Sequence, residues 1–227
     1  MPAKLEFLDR DICLENMVLA RDVLARHGVV PFLHYGTLLG AMRERDFIPH
    51  DDDVDMGLFG RDKEAFLRAF PDLEAAGFTV GYIRDDGYAK TSSVADESRN
   101  YRMYKLKRKG QEIDFFFAFE RRYALIRRWD IDGRVTVPAR FLDSLAEEDF
   151  LGQRFSVPRD PTGFLRNLYG KTWNVPIRNT TSRIGWLTRL RKVTSVGKLA
   201  FYARRYLGER LRKRKLLGES RGRGREE

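Results

Sequence analysis

Apolar positions recur along this chain in two rhythms. Leu5, Leu8, Ile12, Met17, Val18 and Leu24 follow a helical spacing that ends at Gly28, so the first element predicted is a helix. The apolar run 29–33 leads into Gly36-Thr37, after which Leu38, Leu39, Ala41 and Met42 read as a short helix. Residues 61–70 read as a further helix with Ala65, Phe66, Ala69 and Phe70 on its inner face, broken or restarted by Pro71. Strand patterns follow at 78–83, and at 101–107 and 112–119 on either side of the hairpin signal Lys109-Gly110. Strand-like pieces at 123–129 and 135–137 flank an Asp132-Gly133 turn, and Asp160-Pro161 starts a helix that runs through Leu168 and closes at Gly170. There is no internal repeat. The order predicts an α+β fold, a mixed sheet with helices mostly on one side.

With 227 residues the chain can bury a full core, which favours one catalytic domain with an appendage. The formal net charge of +10 is unevenly placed. Residues 183–227 hold 15 Lys/Arg against 4 Asp/Glu, while the preceding 182 residues hold 28 against 29. The division expected is therefore a domain over 1–182 and a basic tail over 183–227. Trp186, Leu190, Val193, Leu199, Ala203, Tyr206, Leu207 and Leu211 amid Arg/Lys predict a basic amphipathic helix, followed by a disordered end over 220–227. An anionic membrane surface, met through residues 183–217, is the leading partner for that tail; a solvated or oligomerising helix comes next. Nucleic acid comes last, because no binding module accompanies the charge. The single cysteine, Cys13, excludes an intramolecular disulfide and a cysteine zinc site, and His27, His34 and His50 lack ligand spacing. The charged N-terminus reads as no leader, and no run approaches the roughly 18 apolar residues of a membrane span. The expectation is a soluble cytoplasmic protein with a peripheral place at the inner membrane face.

Candidate chemistry gathers in 34–59. Backbone N–H groups at a glycine-flanked helix start favour a bound phosphate, and glycine lets it come close. Asp51, Asp52, Asp53 and Asp55 then run into Met56, Leu58 and Phe59. In an extended strand Asp53 and Asp55 share a face, roughly 6–7 Å apart at the backbone. They repel unless a cation or proton sits between them, and oxygen ligands beside a phosphate site favour Mg²⁺ or Mn²⁺. Metal-assisted transfer at phosphorus is the chemistry this suggests; a solvated acidic loop is the plain alternative. An EF-hand loop is excluded, because Met56 and Asp62 stand where glycine and glutamate are needed, and no Gly-Lys-Ser/Thr makes a P-loop. Asp114, alone among Ile113 and Phe115 to Phe117, is expensive to bury without a cation or donor, although a hydrogen-bonded strand-end residue would read the same. Arg43, one turn beyond Leu39, and Lys105 with Lys107, alternating on one strand, are candidates for neutralising a diphosphate or simply solvated charges. The phenylalanines read as core.

The pattern His-x-Gly-Thr-Leu-Leu-Gly-Ala-x-Arg from His34, then Phe-Ile-Pro-x-Asp-Asp-Asp-Val-Asp from Phe47, resembles the LicD family, which includes the fukutin and fukutin-related branch. Such proteins resemble polymerase-beta-type nucleotidyltransferases, so that fold is implied here. His50 stands where the family usually has Trp, and Glu44-Arg45-Asp46 replaces a basic-glycine stretch. Residues 169–176 resemble the Tyr-Gly-x-x-Trp-x-x-Pro segment near the end of such domains, for which a structural or lid role is expected. The resemblance implies a cytidine-diphosphate-linked donor such as CDP-choline, CDP-glycerol or CDP-ribitol, with the phospho-alcohol passing to a hydroxyl of a glycan or glycolipid. It implies that Gly36 and Thr37 hold donor phosphate, that Asp53 and Asp55 bind Mg²⁺ or Mn²⁺, and that Asp114 completes the metal site or takes the acceptor's proton, with Asp51 and Asp52 flanking them. Two alternatives stay open: transfer of a nucleoside monophosphate to a sugar, small molecule or protein, and a noncatalytic adaptor for anionic surfaces.

Overall fold

The computed structural model describes residues 8–49, 51–84, 87–90, 103–133 and 135–176, with only the backbone at 82–84 and 87–90. The tail 183–227 and His50 lie outside the described residues. Helix α1, Arg10–Arg26, starts where the Asp9 side chain accepts the Ile12 N–H, and ends before Gly28, whose φ is 73°. Strand β1, Phe32–Leu33, leads into α2, Tyr35–Arg43, and β2, Val54–Phe59, follows the aspartates. Helices α3, Lys63–Arg68, and α4, Phe70–Ala75, are one apolar pattern restarted around Pro71. Strands β3, Thr79–Arg84, β4, Gly87–Lys90, β5, Met103–Arg108, β6, Gln111–Tyr123, β7, Ile126–Ile131, and β8, Val135–Pro138, come next. Strands β9, Leu145–Phe150, and β10, Gln153–Pro158, then precede α5, Pro161–Tyr169, whose Asp160 cap accepts the Gly163 N–H.

The strands form one mixed sheet in the order β4-β3-β5-β6-β2-β1-β10-β9, with β7 and β8 extending from β6. β2 runs parallel to β6 and β1 parallel to β10; the other pairs are antiparallel. Every residue of β2 is buried, as are Ile113 to Ala118 of β6, so both faces of the sheet centre are covered. Phe66 of α3 packs on Tyr104, Phe115 and Phe117 on one face. On the other, His34 and Tyr35 meet Phe116, and Phe164 of α5 meets His34. The helices thus divide between the faces, where the apolar pattern predicted them mostly on one side.

The α+β class with a mixed sheet flanked by helices is as expected, and the Lys109-Gly110 and Asp132-Gly133 turns stand where the sequence puts them, all four residues with positive φ. Three regions differ from the reading, one being β4, for which no strand was expected. Residues 123–129, read as one strand, contain a tight reversal: Tyr123 pairs with Ile126 around Ala124-Leu125. Ala124 adopts φ 52°, a left-handed conformation that costs a non-glycine residue about 1–2 kcal/mol, so the usual glycine or asparagine signal is missing. The β9–β10 hairpin was not predicted. Its first strand is rich in acidic residues, and Leu151 takes the left-handed place beside Gly152 in the turn.

Candidate active site

The parallel register of β2 and β6 sets Asp55 beside Asp114, and the antiparallel register of β5 and β6 sets Lys105 across from Asp114. Neighbours in register share a face, so three strands present these groups together on the face that α2 covers. The chain turns into α2 at Tyr35, whose φ of 33° is unusual for a bulky residue. The Gly36 N–H then donates to Asp55 Oδ2 at 2.7 Å, while Thr37 Oγ1 accepts the Asp55 N–H at 2.8 Å. A Cβ at Gly36 would collide with Asp51 Oδ2 and come within 3.1 Å of Asp55 Oδ2, so glycine is what lets the aspartates close over the helix start. A Cβ at Gly40 would strike the Asp46 carbonyl, which packs the second glycine of the motif against the chain leading to the aspartates.

Asp53 precedes β2 rather than lying in it, so the alternation expected for Asp53 and Asp55 does not apply. One carboxylate oxygen from each of Asp51, Asp52 and Asp53 lies within 4.8 Å of the others. Asp51 thereby joins the site from the Gly36 side, a closeness that its position ahead of the strand hid, while Asp52 is exposed. Burial, reinforced by Asp53 and Asp52, pushes the Asp51 carboxyl up to about 6. Burial likewise raises Asp53, against the pull of Lys105. It lifts Asp55 well above the carboxylate range, with Asp53 adding to it and the Gly36 N–H opposing. Asp114 rises to about 6, again by burial, against Lys105.

Lys105 Nζ lies 2.8 Å from Asp114 Oδ1 and 2.6 Å from Glu112 Oε2. Its own burial works against its charge, but Asp114 and Glu112 outweigh that and hold it protonated. That contact neutralises Asp114 Oδ1, for which no further donor is found among the described residues. Lys107 reaches Glu112 at 3.5 Å. Arg43 bonds Glu44 at 2.6 Å. Burial raises the Tyr169 hydroxyl, with Asp55 and Asp51 adding to it and Arg43 opposing. The fully buried His34 has neither ring nitrogen hydrogen-bonded, and burial pushes it down to about 3, so it stays neutral. Buried carboxylates crowded together and an all-oxygen donor set suit a hard divalent cation.

The family model for the LicD/FKTN/FKRP nucleotidyltransferase domain matches residues 28–160. This chain belongs to that family. The match spans β1 to β10 and so includes Asp51, Asp52, Asp53, Asp55, Glu112 and Asp114. A human relative, ribitol-5-phosphate transferase FKTN, is 27% identical over 173 residues, 72% of this chain and 33% of its own length. An uncharacterised Caenorhabditis elegans protein is 27% identical over 192 residues, 81% of this chain and 47% of its own. An uncharacterised Rickettsia prowazekii protein is 36% identical over 63 residues, 28% of this chain and 24% of its own. The chain therefore spans from a quarter to about half the length of these curated relatives. Among solved structures, the antibiotic-resistance factor ANT(2'')-Ia is similar with a TM-score of 0.44 at 12% identity, covering 90% of this chain and 99% of its own. In this LicD-family chain Arg45 takes φ 58° just after α2, a left-handed place that glycine fills easily, and its guanidinium reaches Glu148 at 3.5 Å. No helix among the described residues is long and apolar enough to cross a membrane.

Proposed function

We propose that this LicD-family chain is a metal-dependent phosphotransferase that moves a phospho-alcohol from a CDP-linked donor to a hydroxyl of a glycan or glycolipid. The observation that carries the reading is Asp55 and Asp114 side by side on paired strands, with Gly36 and Thr37 tied to Asp55. Asp53, Asp55 and Asp114 would hold Mg²⁺ or Mn²⁺, with Asp51 adjoining. The bound cation would supply charge neutralisation for the phosphoryl oxygens and the leaving oxygen. Phosphocholine, glycerol phosphate and ribitol phosphate are the groups considered; the name of the human relative favours ribitol phosphate.

In this reading the acceptor oxygen bonds to the phosphorus that carries the alcohol, the bridging P–O bond breaks, and CMP leaves with the bond electrons. Asp114, lying next to Lys105 and beside Asp55, completes the cation site or takes the hydroxyl proton. Gly36, Thr37, Arg43 and Lys105 position donor phosphate, with Lys105 turning from Glu112 towards the diphosphate. Tyr169 closes the site beside Asp55 and excludes water. The tail 183–217 keeps the protein peripheral at an anionic inner membrane face, where lipid-linked acceptors would be concentrated, and no nucleic acid partner is expected.

The test is a CDP-alcohol labelled separately in its cytidine and alcohol halves, incubated with Mg²⁺ and a glycolipid acceptor pool. Alcohol label on the acceptor with release of CMP is expected. Cytidine label on the acceptor would establish nucleotidyl transfer instead. Absence of any divalent-cation binding would return the chain to a noncatalytic adaptor.

A further inference from the structure

The β6–β7 hairpin runs out to a tip whose side chains do not join the core. Tyr123 is 56% exposed, Ile126 61%, and Leu125, in the turn itself, is fully exposed. A solvated two-residue turn favours glycine or asparagine, yet this one uses Ala124 with a positive φ and an apolar Leu125. Behind the tip the ladder sets Arg122 directly across from Arg127 and Arg121 directly across from Arg128. Like charges so placed weaken a hairpin. Local carboxylates relieve them in part: Glu120 accepts from Arg122 at 3.2 Å and Arg127 at 2.9 Å, Asp143 meets Arg127 at 2.9 Å, and Asp130 lies 3.6 Å from Arg121. Arg121, Arg122 and Arg127 nevertheless remain open to solvent.

Register and alternation sort these groups. Tyr123 and Ile126 share a face with Arg121 and Arg128, one pleat behind them, a step of roughly 7 Å along the strand. An apolar tip followed at that depth by guanidinium groups matches the change from acyl chain to headgroup phosphate at a bilayer surface. Tyrosine suits that boundary. Three apolar side chains are far fewer than the roughly 20 residues a side of a stable protein interface, whereas a lipid surface demands no matching shape.

We infer that the β6–β7 hairpin tip inserts Tyr123, Leu125 and Ile126 into an anionic lipid surface while the adjoining arginines bind headgroup phosphate. This contact is separate from the tail and does not depend on the reaction proposed above. The test measures binding of the full chain to phosphatidylcholine vesicles with and without phosphatidylglycerol. Binding to the anionic vesicles is expected, weakened about tenfold or more by Leu125→Asn at both low and high salt, because the lost contact is apolar. Arg121→Gln with Arg122→Gln, two arginines open to solvent, should weaken it about tenfold at low salt, with the difference shrinking as salt rises. Both variants keep the tail's charge, so these losses report the hairpin. The inference is overturned if the full chain ignores anionic vesicles, or if it binds them and both variants bind equally well. It is also overturned if Leu125→Asn abolishes self-association of the chain and leaves vesicle binding unchanged, since the tip would then be covered by a second copy.

Discussion

Asp114 and Arg122 lie on the same strand, and each has a like charge directly beside it: Asp55 next to Asp114, Arg127 across from Arg122. At the buried end the separation from water governs. Burial is the largest influence on Asp51, Asp53, Asp55 and Asp114, and it raises all four. At the exposed end solvent and Glu120 absorb the repulsion, and the strand tolerates two arginine pairs in succession. The same repulsion thus calls for a cation or a proton at one end and little beyond water and Glu120 at the other.

The largest effect should come from Asp55→Asn. If a divalent cation is held there, loss of its charge stabilisation amounts to roughly 4 kcal/mol, about a thousandfold in turnover. The melting temperature of the metal-free variant should hold or rise, because one member of a repelling set is gone. Retained turnover would remove the metal reading. Lys105→Met comes next. Breaking a buried ion pair costs about 3 kcal/mol, and denaturant unfolding without metal should show it. Saturating Mg²⁺ should restore most of that stability; if it restores none, lysine rather than metal is the resident counter-ion.

Protons sharpen the contrast within the buried end. His34 sits at about 3 against an ordinary 6.5, so the unfolded chain takes its proton first. Its contribution is complete above pH 6.5 and is lost as pH falls towards 3, at about 1.4 kcal/mol per unit. Asp51 and Asp114 have the opposite sign: raised to about 6, they favour the folded state as pH falls through that value. Stability of His34→Leu compared with the parent from pH 7 to 4 isolates the imidazole, and parallel curves would show that His34 is not buried neutral. The smallest effect belongs to the exposed end. Arg122→Thr removes one member of a like pair and should stabilise by only about 0.3 kcal/mol; a large loss would mean the Glu120 bridge outweighs the repulsion.

The parts of the fold legible in the sequence are those with local signals. Asp160-Pro161, Lys109-Gly110 and Asp132-Gly133 announce their turns through backbone preference, and α1 and α3 through apolar spacing. The Ala124-Leu125 reversal is silent because an alanine takes the left-handed place where glycine or asparagine would be read. The β9–β10 hairpin is silent because acidic residues occupy an edge strand, where packing demands little. At the site, the candidate aspartates and Gly36-Thr37 could be read from spacing and from the family pattern. The inward turn of Asp51 could not, since it depends on where α2 comes to rest. Nor could spacing show that Lys105 is already engaged by Asp114 and Glu112.

The parallel pairing of β2 with β6 has a consequence for biosynthesis. A growing chain makes β1 and Asp51 to Asp55 early, but β2 cannot acquire its second neighbour, β6, until everything between Phe59 and Gln111 has been made and folded back. Until then β2 presents an apolar edge with unpaired backbone groups, an invitation to pair with another chain. A chain cut short before residue 118 would keep the aspartate motif intact and still lack the strand that shelters it. Messages truncated in this interval should therefore yield aggregates rather than weakened protein, and the acidic cluster cannot gather its full set of oxygens before the sheet itself is closed.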